Sequence, residues 1–203
     1  TMSGRRAEVL DFAEWLRALP YAHKIVVAGN HELGFDGGPW EGDSSEGGGA
    51  ADLLSSVGGA AYLEDEEVTV LGVRVYGSPW QPKLRDEQWA FGLPRGPTLA
   101  RTWEGIPDGV SVLVSHSPPL GRGDRCGSGH RAGCADLLRA VQGRVHPDFC
   151  VFGHIHEDPG VTSDGTTHFV NASSADGDYR IGDRAPFVFD VPVEPIGRAA
   201  AGV

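Results

Sequence analysis

Three short apolar runs, each ending directly in a motif of polar and small residues, constrain this chain more than any other feature. Residues 24–28 (KIVVA) run into Gly29-Asn30-His31-Glu32. Residues 110–114 (VSVLV) run into Ser115-His116-Ser117-Pro118-Pro119, and residues 149–152 (FCVF) into Gly153-His154-Ile155-His156-Glu157. Short runs rich in β-branched and aromatic residues between turn signals read as buried strands. Loops at the carboxyl ends of neighbouring strands in an open α/β sheet converge on one crevice. One amide oxygen (Asn30) and four imidazoles (His31, His116, His154, His156) are thereby expected at one place. On a strand extension, His154 and His156 at i and i+2 point the same way.

The rest of the chain supplies the layers. Residues 5–19 place Val9, Phe12, Ala13, Leu16 and Leu19 at helical spacing, with Ser3 as the expected N-cap and Pro20 beyond the end. Residues 34–50 are Gly-rich and acidic and read as a flexible surface loop. Residues 52–57 suit one or two helical turns. Residues 67–70 and 73–76 flank Leu71-Gly72 as a hairpin, residues 77–82 look turn-like, and the stretch to about Pro107 has no clear period. Residues 135–141 read as a helix, residues 161–172 as a hairpin turning at Asp164-Gly165, and residues 187–191 (FVFDV) as a closing strand. Helix-separated strands followed by hairpins suggest α/β layers with a mixed sheet or two packed sheets. With no repeat and no clear linker, residues 1–193 are expected to form one domain and residues 194–203 a loose tail.

Charge narrows the partners. The 203 residues carry 17 Lys+Arg against 28 Asp+Glu, a net charge of −11. A nucleic-acid polymer needs a basic footprint and is not expected. A small anionic ligand remains compatible, because a bound metal reverses the local sign of charge. No apolar run is long enough to cross a membrane. The three cysteines, Cys126, Cys134 and Cys150, form no CxxC pair, so neither a disulfide framework nor a Cys-type zinc site is expected. A reducing compartment, and with it a cytoplasmic location, is favoured on that ground. The oligomeric state is not legible.

Imidazole suits zinc, iron, manganese and related divalent ions, and an amide oxygen suits the harder ones. The strand-end motifs together therefore point to metal-assisted hydrolysis. A lone histidine at a strand end is more often a hydrogen-bonded structural residue. That reading is preferred for His23, His130, His146 and His168, which have no partners in sequence. Trp80, beside GSPWQP, is a candidate pocket residue, and Arg122 and Arg125 are candidate phosphate contacts, although solvated loop arginines are commoner.

The motifs GNHE at 29–32, SHSPPLG at 115–121 and GHIHE at 153–157 resemble the last three motifs of the calcineurin-like metallophosphoesterases. KIVVAGNHELGFD, VTVLGVRVYGSPWQP, LPRG, GCADLLRAVQGRVHP, DGTTHFVNAS and the closing FVFDVP are similar to one branch, the metallophosphoesterase-domain-containing proteins, which have cyclic nucleotide phosphodiesterase activity. The likeness runs from about Glu8 to Pro192. It implies a sandwich of two mixed β-sheets flanked by helices and two adjacent metal ions (manganese, iron or zinc). Asn30, His116 and His154 match ligands of the second ion, and His156 matches a ligand of the first. His31 matches the histidine that assists leaving-group departure, and Glu32 is expected to orient its loop. The implied chemistry is attack of a hydroxide on phosphorus, with the cations offsetting phosphate charge and a histidine protonating the departing oxygen. The implied substrate is a small phosphodiester or a nucleotide.

Two earlier motifs of the resemblance, Asp-x-His and Gly-Asp, have no counterpart in place. None of the eight histidines has Asp two positions before it, and the Gly-Asp pairs at 42–43, 123–124, 177–178 and 182–183 all follow GNHE. Together with the opening Thr1, this reads as a chain lacking its N-terminal strands, the bridging aspartate and most of the first metal's ligands. The expectation is weak metal binding and little phosphodiesterase activity for these residues alone, with unpaired sheet edges that favour aggregation. The main rival is a non-catalytic nucleotide- or phosphate-binding regulatory form. An unrelated mononuclear zinc hydrolase is disfavoured by the absence of HxHxDH and HExxH, and a serine hydrolase by the absence of a G-x-S-x-G elbow. Arg122-Gly123-Asp124 as an adhesion motif carries almost no information.

Overall fold

The structure, a computed structural model, describes residues 1–35, 49–84 and 88–193. Its elements in chain order are α1 (Arg6–Ala18), β1 (Ile25–Val26), α2 (Ala50–Ser56), β2 (Ala61–Tyr62), β3 (Glu66–Val70), β4 (Val73–Ser78), β5 (Gln81–Pro82) and β6 (Gly92–Leu93). They continue with α3 (Pro97–Glu104), β7 (Val112–Ser115), α4 (Ala135–Ala140), β8 (Phe149–Phe152), β9 (Gly160–Ser163) and β10 (His168–Asn171). A wide π turn, Val141–Val145, extends α4.

The central sheet has six strands in the order β3-β4-β7-β8-β10-β9. Its middle is parallel (β4 with β7, β7 with β8, β8 with β10), and each edge is closed by an antiparallel hairpin partner. The period of two along each strand divides its side chains between two cores. Tyr76, Leu113, Cys150, Phe152 and Phe169 face α3 and α4, where Leu99, Trp103 and Leu137 bury. Val75 and Val112 face the other way and meet Ile25, Val27 and Leu63. Those residues belong to or adjoin the parallel ladder of β1 and β2, whose far side is covered by Val9, Ala13 and Leu16 of α1 and by Leu54 of α2. The order is helices, six-stranded sheet, ladder, helices. The expected α/β layering with a mixed sheet holds. Among the described residues, the second β layer is the β1–β2 ladder, with a further small parallel ladder of β5 and β6.

Both hairpins turn where the sequence places them. Leu71 and Gly72 have φ of 51° and 86°, the left-handed pair that a tight hairpin turn requires. At Asp164-Gly165, the Asp164 carboxylate accepts the N–H groups of Thr166 and Thr167 at 3.0 and 2.8 Å.

Three local expectations are corrected, and one unassigned stretch is filled. Ser3 does not cap α1. The N-cap is Arg5, and Ser3 donates its N–H and hydroxyl to the Glu8 carboxylate instead, at 2.9 and 3.2 Å to Oε2 and Oε1. Residues 77–82 are not simply a turn: Gly77 and Ser78 end β4, and Gln81-Pro82 form β5. Gly77 is essential there, because a Cβ would lie 2.3 Å from Leu63 Cβ across the layers. Residues 187–191 do not form a strand. They run as exposed, unpaired chain in which Phe189 stacks on Phe149 at 4.0 Å and Val191 reaches the inner face of the sheet. The unassigned stretch before Pro107 holds α3, opened by Pro97 in its first turn. Of the acidic Gly-rich loop, residues 36–48 lie outside the described residues, as does the tail at 194–203.

Candidate functional site

The parallel pairing of β7 with β8 brings two of the motifs out of the sheet side by side. His116 follows β7 and His154 follows β8, and their rings lie 4.6 Å apart at 60°. The N–H of Gly153 donates to the His116 carbonyl at 3.2 Å, which ties the two loops together. From the facing layer, the loop after β1 delivers Asn30. Its Oδ1 lies 2.8 Å from His116 Nε2, and its N–H is 3.3 Å from the same nitrogen. This approach depends on Gly29, because a Cβ there would stand 2.4 Å from the His116 ring. Glu32 accepts the Gly29 N–H at 2.7 Å and so holds the loop closed.

His154 and His156 do not sit on a strand extension. β8 ends at Phe152, and His154 turns the chain with a φ of 69°. Ile155 is buried between the two histidines and anchors the turn. Both histidines nevertheless line one cavity of about 310 Å³ together with Asn30, His31 and His116. Glu157 supplies a carboxylate to its wall. The amide and the four imidazoles of the three strand-end motifs, Asn30, His31, His116, His154 and His156, therefore line this one cavity. His23, His130, His146 and His168 are exposed and elsewhere, and His168 stacks on Phe149.

Two of the four imidazoles, His116 and His154, are held in the neutral form. Burial pushes His116 well below the usual histidine range, and the neighbouring His154, His31 and His156 add to the effect. Burial, followed by His156 and His31, pushes His154 down to about 4, with Glu157 opposing. His156 Nδ1 meets the Asp176 carbonyl at 2.9 Å, and His31 Nδ1 meets the Met2 carbonyl at 2.9 Å. A carbonyl only accepts, so each Nδ1 carries the proton. In the neutral ring this leaves an Nε2 lone pair, the arrangement that metal-ligating histidines adopt.

Among the described residues, no three His, Cys, Asp or Glu side chains are grouped closely enough to hold one ion by themselves. An ion at this site would draw on an amide oxygen as well. The Asn30–His116 contact tests that fit. If His116 Nε2 carries a proton, it donates to Oδ1 but opposes the Asn30 N–H. If it does not, two lone pairs face each other across 2.8 Å. In the second case the Oδ1 and Nε2 lone pairs converge within 2.8 Å, a spacing that two ligands of one cation can share. The donor set of Asn30, His116 and His154 suits a divalent ion of the zinc or manganese kind, and His156 adds an imidazole beside it.

Two lining residues were not legible in the sequence. Trp89 lies 4.6 Å from His31, and Tyr179 lies 5.7 Å from His31 and 5.2 Å from His156 between ring centroids. Trp80, the expected pocket tryptophan, instead donates its Nε1–H to Asp65 at 2.6 Å and packs edge-on to Phe91. Arg122 lies over the Phe169 ring at 4.4 Å rather than in the cavity. Nothing local distinguishes Trp89 from the other tryptophans, and Tyr179 sits in a Gly-Asp-rich stretch that reads as plain loop.

Comparison with known proteins agrees with this geometry. Residues 4–158 match the calcineurin-like phosphoesterase family. A human metallophosphoesterase domain-containing protein 1 is 44% identical over 210 residues, covering 95% of this chain and 62% of that protein. A Caenorhabditis elegans protein of the UPF0046 group is 42% identical over 216 residues, covering 96% of this chain and 53% of that protein. The chain thus spans about half to two thirds of the length of these relatives. A solved structure superposes with a TM-score of 0.61 at 16% identity, covering 82% of this chain and 63% of that one, which supports the fold. With the family match spanning all three strand-end motifs and the fold placing them around one cavity, the chain belongs to the calcineurin-like phosphoesterase family.

Proposed function

We propose that the cavity is the site of a metal-dependent phosphodiesterase, with cyclic nucleotides among its substrates. The observation that carries this reading is the meeting of Asn30 Oδ1, His116 Nε2 and the His154 ring from three separate loops. Asn30, His116 and His154 would hold one divalent ion, and His156 would contribute to a neighbouring one. Such ions supply charge neutralisation at phosphate and activation of water. The chain's own residues do the rest. His31, with Nδ1–H fixed on the Met2 carbonyl, turns its Nε2 toward the cavity, where its imidazolium form would give the Nε2 proton to the departing oxygen. Asp176, through its carbonyl, fixes the orientation of His156. Glu32, through the Gly29 N–H, keeps Asn30 within reach of His116.

These 203 residues contain no Asp-x-His, and the ligands named are all neutral. Neutral ligands offset little of the charge on two adjacent cations. We therefore expect weak metal binding and slow turnover from these residues alone. The test is hydrolysis of bis-p-nitrophenyl phosphate by the purified chain with manganese. Slow, metal-dependent turnover abolished by His116→Ala supports the reading. Metal-independent turnover, or turnover indifferent to that substitution, overturns it. The second reading, a nucleotide- or phosphate-binding regulatory form, is favoured by the same neutrality. It requires calorimetric binding of a nucleoside monophosphate with no turnover at all.

A further inference from the structure

Tyr179 holds a backbone conformation that tyrosine rarely adopts. Its φ of 60° lies in the left-handed region, where Cβ crowds the neighbouring carbonyl. The surrounding turn enforces it. The Tyr179 N–H donates to the Asp176 carbonyl at 3.0 Å, and Asp176 Oδ1 accepts the N–H groups of Asp178 and Arg180 at 2.9 and 3.0 Å. Burial does not offset the strain, because the residue stays 53% exposed. What the conformation achieves is placement. The ring stands edge-on to His31 at 82° and to His156 at 88°, on the wall of the cavity. Trp89 reaches the same His31 from the segment before β6, tilted at 59°. Strained residues with little burial cluster where a side chain must be aimed at a ligand.

We propose that Trp89 and Tyr179 form a subsite for a planar aromatic group carried by the phosphoester. This rests on the phosphoester reading of the cavity and deepens it. Two aromatic rings beside an open cavity offer π faces and edges on which a flat ring stacks, with little regard to its substituents. An alkyl group gains far less there. Both rings flank His31, the residue assigned to the departing oxygen, so the aromatic group belongs to the leaving alcohol. A phenol and a nucleoside share that chemistry, and the experiment separates them.

The experiment measures binding, because a phenolate leaves faster than an alkoxide whatever the protein does. The full 203-residue chain, with manganese present, is titrated calorimetrically with inorganic phosphate, ethyl phosphate, phenyl phosphate and adenosine 5′-monophosphate. The expected result is that phenyl phosphate binds about tenfold more tightly than ethyl phosphate, within the range that aromatic stacking contributes. The gap closes in Tyr179→Ala and in Trp89→Ala and persists in Tyr179→Phe. A matching gain for adenosine 5′-monophosphate extends the subsite to nucleobases, and its absence confines the subsite to phenolic rings. Equal affinity for ethyl and phenyl phosphate overturns the proposal and leaves the phosphoester reading standing. So does a preference that survives both alanine variants. Failure of all four probes to bind removes the phosphoester reading and this one with it. The comparison of esters on the unmodified chain decides the matter even where a variant fails to fold.

Discussion

Asn30 Oδ1 and His116 Nε2 lie 2.8 Å apart although 86 residues separate them. Two lone-pair donors from different layers meet only because the β1 loop and the β7 loop leave their strands at the same rim. Replacing Asn30 by Ala removes one donor and should weaken binding of zinc or manganese at least about tenfold, the order reached even when a partner one shell further out is lost. Asn30→Asp keeps the oxygen and adds a negative charge, so it should bind the ion more tightly than the parent chain. Equilibrium dialysis of the two variants against the parent checks both directions. An Asn30→Asp variant that binds no better would mean that the oxygen does not face the ion.

Gly29 permits that meeting, since an added Cβ would stand 2.4 Å from the His116 ring. The ring is half-buried, packed against His154 and held near Asn30, and cannot move aside freely. Gly29→Ala should destabilise the chain by about 1–3 kcal/mol, the usual effect of overpacking. Metal affinity should fall together with it. Urea unfolding gives the first quantity and dialysis the second. An alanine variant of unchanged stability would show that the two loops separate more easily than this packing implies.

The sequence made the site more legible than the fold. The three strand-end motifs announced themselves because each sets Asn or His within two residues of the end of an apolar run, where core packing has no use for a polar side chain. β8 and both hairpins were equally plain, since a short apolar run and turn chemistry are local signals. Residues 187–191 failed for the opposite reason. Their aromatic and β-branched composition suits a strand, but Phe189 is used to stack on Phe149 rather than to pair. Trp89 and Tyr179 were missed because their position depends on tertiary approach. For Tyr179 it depends also on a left-handed φ imposed by Asp176, which no propensity reports.

Asp164 makes the second hairpin sensitive to acid. Its partial burial raises the carboxyl pKa, but the N–H of Thr167, the Gln142 side chain and the N–H of Thr166 outweigh it, with help from Arg122, and hold it down to about 2. A folded value below the unfolded one, about 3.8, means that the fold favours the carboxylate. The stabilisation is therefore complete above the unfolded value and disappears as pH falls toward about 2. Asp164 is largely exposed, so solvent screening keeps the effect small. The difference in urea midpoint between the parent and Asp164→Asn should be present at neutral pH and vanish at the acid end of that window. A difference that does not change with pH would assign the turn's stability to its shape rather than to its charge.

Asn171, at the end of β10, fastens the His154–His156 loop from behind. Its Nδ2 donates toward the carbonyls of Gly123, Ile155 and Asp158 at 2.8, 2.8 and 3.1 Å, and its Oδ1 accepts the Ser173 N–H at 3.0 Å. The side chain is fully buried, so no water replaces these bonds when it is cut back. Asn171→Ala orphans several buried backbone groups and should cost about 2–4 kcal/mol, since each unsatisfied group costs about 1–3 kcal/mol and not all of them stay buried after relaxation. Asn171→Asp keeps the acceptor but turns the donor into an oxygen facing three carbonyls, and should cost at least as much. Hydrogen exchange should then quicken at the amides of residues 153–158 ahead of those in β8, because the loop loses its anchor while the strand keeps its ladder. Uniform acceleration across β8 and the loop would show instead that Asn171 supports the whole sheet and gives this turn no special hold.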